Sequence, residues 1–523
     1  MVFDYYYDTS ALLSDCCREK LSGKRIILAS NRGPVEYHLS DGGNIVEQRG
    51  SGGVVTALSA IAQYADTTWV ASAMTDGERR AAARARGDSL KVPLMGDRFQ
   101  LRFVCPPKSA YYKFYSVFSN PILWFIQHYM WNLPYSPNID AEAYDAWENG
   151  YVPVNQEFAR AIVSEAIRRG PSPLIMIQDY HLYLAPAYIR EMLPNIVMQH
   201  FTHIPWPDPG YWHILPAPMR EEICRSLCSS DIVGFQTRRD VRNFLNTCDF
   251  FLDDADVDIH SHTVTRNDHT TRVVAYPISL DVANLRELVT SEGVRNYERE
   301  LRPLCGAKTI VRVDRADPSK NILRGLEAFD ILLERYPRLI GQVNMLAFLV
   351  PSRTDIEQYQ RYTEDIAGLV GSINNKYGTE EWKPIRVFYE NNYPQAIAGL
   401  RLYDVLLVNS LYDGMNLVAK EGPIVNERNG VLVLSDTVGA YEQLKDGAIS
   451  VSPVDIEGTV EALYKALMMP EGGRKSRAII LRRTIEEEDI TLWLTRQLND
   501  LLAVERERHE QAILRSFLRQ LHR

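Results

Sequence analysis

The sequence predicts an α/β protein built of two doubly wound domains facing each other across a cleft. Three observations carry that reading. The 523 residues exceed what one ordinary core accommodates, which favours two domains of roughly 250 residues each. Short apolar runs alternate with amphipathic helical stretches in both halves, the rhythm of parallel sheets covered by helices. Polar residues that interrupt the pattern follow the apolar runs: Asn31, Asp179, His203, Asp317, Arg353 and Asp413. Open parallel sheets bind ligands beyond the carboxyl ends of their strands, so a cleft between two such domains would gather all of these.

Residues 1–23 read as an extension ahead of the first strand. From 24 to 280 the strand candidates are RIILASN, TTWVASAM, LIMIQD, IVMQHFTHIP, DIVGFQT and RVVAYPI, the last at 272–278. The boundary is expected just after AYPIS. From 281 to 485 the rhythm resumes with TIVRVDRAD, NMLAFLV, IRVFY, DVLLVNS at 404–410, GVLVLSD and AISVSP. Residues 486–523 read as a long helical segment that would cross back onto the first domain.

Composition narrows the function classes. Hydrophobic residues at 46% and charged residues at 24% are ordinary for a soluble globular chain, which excludes global disorder. A net charge of −9 argues against broad binding to nucleic acid or anionic membranes, while leaving room for a local basic pocket. The opening stretch MVFDYYYDTSALLSDCCREK has no basic region leading into a long apolar core, and no later run reaches membrane-spanning length. A cytoplasmic location is expected. The seven cysteines lack paired metal-ligand spacing, so reduced thiols and no metal are expected.

Four stretches carry chemistry. Arg49-Gly50-Ser51-Gly52-Gly53 precedes a helical pattern, where glycine amides would admit a phosphate or simply form a turn. In Asp314-Arg315-Ala316-Asp317-Pro318-Ser319-Lys320, two cations at the end of a buried strand would clamp a diphosphate, or pair with the neighbouring aspartates on the surface. Asp179-Tyr180-His181 and His203-Ile204-Pro205 close two neighbouring strands with polar groups suited to orienting a sugar, His181 reading better as structural. In YDGMNLVAKEGP at 412–423, Asp413 would hold sugar hydroxyls, the amides from Met415 to Val418 a phosphate, and Glu421 a ribose diol, unless the stretch is an ordinary capped helix. Asp256-Val257-Asp258 has the look of a metal-binding pair but reads as a solvated acidic loop.

Taken in order, NRGPVEY, RGSGG, YSVFSNPILW, QDYHL, HIPWP, DRADPSK, PSR and DGMNLVAKE resemble the trehalose-6-phosphate synthases, from about residue 25 to about residue 500. The resemblance implies a GT-B glycosyltransferase with two Rossmann-like domains, a nucleotide-sugar donor in the second and an acceptor largely in the first. On the donor side it implies Gly52, Gly53, Arg315, Lys320, Asp413, Gly414, Met415, Asn416, Leu417, Val418 and Glu421. On the acceptor side it implies Arg32, Tyr115, Trp124, Asp179 and Arg353. Asp179, His203, Arg315, Lys320 and Asp413 would bear on the reaction itself, a transfer of glucose with retention that needs no cofactor and no metal.

The expected partners are small molecules, a nucleotide-glucose and a sugar phosphate, and a homo-oligomer is compatible with the sequence. UDP-glucose and GDP-glucose both stand as donors, ENNY at 390–393 occupying the place of a base-contacting aromatic. Ser72, Gln178, Ser279, Asn321 and GPIVNER at 422–428 depart from the usual pattern and are similar to validoxylamine-phosphate synthases, which couple cyclitols. Glucose 6-phosphate is the expected acceptor. The alternatives are a cyclitol phosphate, a glucosylglycerol-phosphate-forming activity, and a catalytically silent sugar-phosphate sensor.

Overall fold

The computed structural model describes residues 19–521 apart from 41, 43, 50–57, 59, 60, 62–64, 93, 94, 96, 97, 169–171 and 355. The chain forms two compact units. The first comprises the described residues up to Gln127, Trp131–Tyr276, and the chain from Thr491 onward; the second comprises His128–Met130 and Pro277–Ile490.

The first unit is built on strands β1 (Arg25–Ser30), β4 (Asp66–Ser72), β5 (Leu90–Lys91), β6 (Phe99–Val104), β7 (Leu174–Gln178), β8 (Val197–Phe201), β9 (Ile232–Phe235), β10 (Asp256–Asp258), β11 (Thr263–Arg266) and β12 (His269–Ala275). They lie in the order β10-β11-β12-β9-β8-β7-β1-β4-β6-β5. From β12 to β6 every pairing is parallel, and only the two edges turn antiparallel. Strands β7, β8 and β9 are buried along their whole length, which is why their sequences show no in-out alternation, although β8 buries Gln199 and His200. The winding reverses between β1 and β7, and that is where a doubly wound sheet opens a crevice.

Two features of this unit differ from the sequence expectation. Asp256–Asp258 is the short edge strand β10 and not a loop, because Val257 pairs with Val264 across a tight antiparallel connection. A hairpin of β2 (Val35–Leu39) and β3 (Ile45–Arg49) forms a separate sheet against the helix Asp76–Ala85. Thr75 caps that helix with a full capping box, and its hydroxyl donates to the Tyr37 carbonyl oxygen at 2.6 Å. Gly77 lets the helix come this close, since a Cβ there would lie 2.2 Å from that same oxygen.

The helix Ile490–Leu521 packs with the first unit from Thr491 onward. Trp493 Nε1 donates to the Tyr276 carbonyl (3.1 Å), Gln199 Nε2 to Gln497 Oε1 (3.2 Å) and Tyr276 OH to Asp500 Oδ2 (2.6 Å). Arg508 meets Asp231, which Arg190 also holds at 3.0 Å.

The second unit is a wholly parallel sheet of β13 (Lys308–Arg315), β14 (Val343–Val350), β15 (Ile385–Tyr389), β16 (Val405–Val408), β17 (Val431–Ser435) and β18 (Ile449–Val451), in the order β15-β14-β13-β16-β17-β18. Ile310, Met345, Ala347, Leu407 and Val433 project into one core with Leu326, Phe329 and Leu463 from the helices Ile322–Arg335 and Ile456–Leu467. Here the winding reverses between β13 and β16. No helix among the described residues is long and apolar enough to cross a membrane.

Candidate active site

The reversal in the second sheet brings Arg315, Lys320 and Asp413 to one place. Strand β13 ends at Arg315, and a 3₁₀ turn, Pro318–Lys320, follows. Asp317 caps that turn, its Oδ1 accepting from Ser319 N at 3.0 Å and Ser319 Oγ at 2.8 Å. Asn321 then takes a left-handed φ of 54°, a conformation that glycine and asparagine adopt most readily. Its side chain ties the loop to the Asn409 carbonyl (2.9 Å) and the Pro453 carbonyl (2.6 Å).

The Lys320 ammonium donates to Asp413 Oδ2, which also accepts from Asn416 Nδ2 at 3.0 Å. Burial pushes the Asp413 carboxyl up, but Lys320 outweighs it and leaves the group below its ordinary range. Asp317 behaves in the same way. Burial raises it, and Arg353 at 3.1 Å, then Arg315 at 3.8 Å, pull it further down than burial lifts it. Tyr359 OH also donates to Asp317 at 3.2 Å and meets Arg353. Beneath them, Arg312 is fully buried against Asp314, its Nε and Nη2 at 3.0 and 2.8 Å from one carboxylate oxygen. Three cations thus face two ionised carboxylates, and Arg315 remains 42% exposed at the side chain, so the cluster suits a polyanion.

The helix after Asp413 begins at Val418, later than the sequence suggests, because Asn416 is left-handed at φ 65° and its Oδ1 accepts from Ala419 N at 3.3 Å. Gly414, Met415 and Asn416 are buried in the turn, while Leu417 and Val418 are half-buried. Tyr393 OH donates to Glu421 Oε1 at 2.9 Å; burial pushes that carboxyl up and the phenol draws it back. Lys420 points the other way, its buried ammonium donating to the Ile278 carbonyl at 2.7 Å, and burial lowers its pKa to about 7.

The reversal in the first sheet places Asn31 and Arg32 after β1 and Gln178 and Asp179 at the end of β7. Asp179 has φ 72° and ψ 168°, a backbone region suited to glycine, and strain of this kind persists where surrounding contacts fix it. Those contacts are its own N–H to the Phe201 carbonyl (2.7 Å) and its Oδ1 accepting from His203 N (3.1 Å). His203 is held by amides on both ring nitrogens, and burial lowers its pKa to about 3.

Arg32 is largely exposed beside Glu36. Tyr115 stacks between Tyr111 and His181, its ring planes 9° and 10° from theirs. Trp124 is buried against Tyr180. Ser72 is turned inward, its hydroxyl donating to Asn31 Oδ1 (2.9 Å), which Tyr111 OH also reaches at 3.2 Å. Arg353 belongs to the second unit, and Gly52 and Gly53 lie outside the described residues.

The sequence reading passed over Tyr393 as a partner of Glu421, Gln236 as a partner of His203, and Tyr359 behind Arg353. Tyr393 was visible as the last residue of ENNY, but its pairing spans 28 positions and has no local signal.

The model of glycosyltransferase family 20 matches residues 24–503. The UDP-forming α,α-trehalose-phosphate synthase of Schizosaccharomyces pombe is 31% identical over 483 residues, covering 90% of this chain and 89% of that one. Among solved structures, a UDP-forming α,α-trehalose-phosphate synthase from Burkholderia xenovorans in complex with glucose-6-phosphate superposes with a TM-score of 0.76 at 27% identity, covering 92% of this chain and 100% of that one. A trehalose-6-phosphate protein from E. coli bound with UDP-2-fluoro glucose gives 0.78 at 26% identity, covering 92% and 99%.

Proposed function

The chain belongs to glycosyltransferase family 20, and from that membership we propose that it transfers glucose from UDP-glucose to glucose 6-phosphate, releasing UDP and trehalose 6-phosphate. The observation that carries this reading is the cluster of Arg315, Lys320 and Arg353 beyond the carboxyl ends of β13 and β14, where cations outnumber the carboxylates that hold them.

In the transfer, the anomeric hydroxyl oxygen of the acceptor bonds to the donor's anomeric carbon on the face from which the diphosphate departs. The carbon–oxygen bond to the diphosphate breaks, and the acceptor's proton passes to the leaving phosphate oxygen. Arg315 and Lys320 offset the charge that grows on that diphosphate, a stabilisation realised mainly in the transition state. Lys320 is oriented for this by Asp413, and Arg315 by Asp317. The turn from Asp413 to Val418 receives the donor's glucose and phosphates, and Glu421 accepts from the ribose hydroxyls. Asp179 and His203 hold the sugars in register, a matter of orientation and not of proton transfer. Arg32, Tyr115 and Trp124 serve the acceptor phosphate, for which a guanidinium fork is well matched.

The test is incubation of the purified protein with glucose 6-phosphate and equal amounts of UDP-glucose and GDP-glucose, with products weighed by mass spectrometry. A disaccharide phosphate accompanied by UDP is expected. UDP release without that product would overturn the acceptor assignment, and GDP as the sole nucleotide released would overturn the donor.

A further inference from the structure

The imidazole of His203 sits between two neutral amides. Its Nε2 lies 3.0 Å from Gln178 Oε1, and Gln236 Nε2 lies 3.4 Å from its Nδ1. Both glutamines are 2% exposed, while His203 itself is half-buried. The arrangement follows from the sheet. Gln178 ends β7 in register with Phe201 of β8, two residues before His203, and Gln236 directly follows β9. Behind the ring stand Phe201, edge-on at 4.6 Å, and Trp493 at 6.4 Å.

The two contacts are complementary only for one protonation state. Gln236 donates to Nδ1, which must then carry its lone pair, so the single proton is on Nε2 and Gln178 Oε1 accepts it. Neither amide titrates. The titratable groups nearby are Asp179 at the end of β7, whose carboxylate takes the His203 backbone N–H, and His200 of β8, itself lowered to about 3 by burial. The other end of the Gln178 amide, Nε2, is buried with no hydrogen-bond partner among the described residues. That spare donor is free to meet a sugar hydroxyl oxygen.

We propose that Gln178 and Gln236 are positioning residues that fix His203 as the neutral Nε2–H tautomer, so that it orients the reacting sugar and carries no proton during transfer. This rests on the reading that places His203 beside the donor glucose. Residue 178 thereby acquires a role of its own. A carboxylate there would draw the ring into its charged form, and an apolar side chain would release it to rotate and exchange tautomers.

Imidazole ¹⁵N spectra of the full chain test the proposal directly. The wild type should show His203 neutral, with its proton on Nε2, from about pH 5 to about pH 8. Gln178→Leu should lose that fixed tautomer and turn over about ten-fold more slowly, with KM for glucose 6-phosphate little changed. Gln178→Glu, which keeps the shape of the side chain, should make His203 titrate near neutrality and give kcat/KM a dependence on pH that the wild type lacks. An Nδ1–H tautomer in the wild type, or ordinary histidine titration there, overturns the proposal, as does wild-type kcat in Gln178→Leu. His203→Ala separates the two readings. If it is slow while Gln178→Leu is fast, the clamp alone fails; if it retains wild-type turnover, the placement of His203 by the sugar fails with it.

Discussion

Arg315 is 42% exposed at the side chain, 3.8 Å from Asp317, and adds to the charge offered to a diphosphate. Arg315→Ala should lower turnover by about 10²-fold or more with no change in melting temperature, measured by coupled UDP release and thermal denaturation. Lys420 is the opposite case. Its pKa falls from 10.5 to about 7 on folding, so between those values the unfolded chain holds more protons than the folded one. The cost of burying its charge is therefore fully present below about pH 7 and fades as pH rises toward 10.5, which makes stability rise across that window. Lys420→Met should flatten the rise, seen as urea midpoints that differ less between about pH 7 and about pH 9 than in the wild type. At this scale the sequence reveals which residues follow apolar runs, and Asp179, Asp317 and Asp413 announce themselves in that way. Their partners stay hidden, because Lys320 and Asp413 are 93 positions apart and nothing local to either encodes the bond.

The elements that read most plainly are those buried on both faces. Strand β16 is a continuous apolar run, and β7 and β17 are apolar up to their last residue, because no residue in them meets water. The hairpin β2–β3 escaped notice because its sequences, VEYHL and IVEQR, mix charge with β-formers and serve a small, separate sheet. The run 113–123 is harder still: it winds as a π-helix around Pro121, whose missing N–H removes an α-helical bond. Close packing between elements is similarly illegible. Gly325, in the helix Ile322–Arg335, lies where a Cβ would come 2.4 Å from Arg312 Nη1. Gly325→Ala should press on the buried Arg312–Asp314 pair beneath the site and cost about 1–3 kcal/mol by chemical denaturation. A neutral outcome would mean that Arg312 has room to shift that the packing around it does not suggest.

For the molecule as a whole, the α/β class and its parallel sheets were readable from the alternation of runs, whereas the discontinuity of the first unit rests on Trp493, Gln497, Asp500 and Arg508, which meet partners far back in the sequence. Trp493 is the anchor, buried at 2% exposure against Phe201 and the Tyr276 carbonyl. Trp493→Ala should destabilise the first unit by about 3–5 kcal/mol, seen as an early transition in a thermal scan, while leaving the parallel sheet of the second unit to melt as before. The same layout bears on how the protein is made. Residues 277–490 leave the ribosome as one nearly uninterrupted stretch and can close their sheet at once. The first unit, begun hundreds of residues earlier, must wait with the side chains of Gln199 and Tyr276 short of their partners until the final helix has been synthesised, so the part translated first is the part completed last.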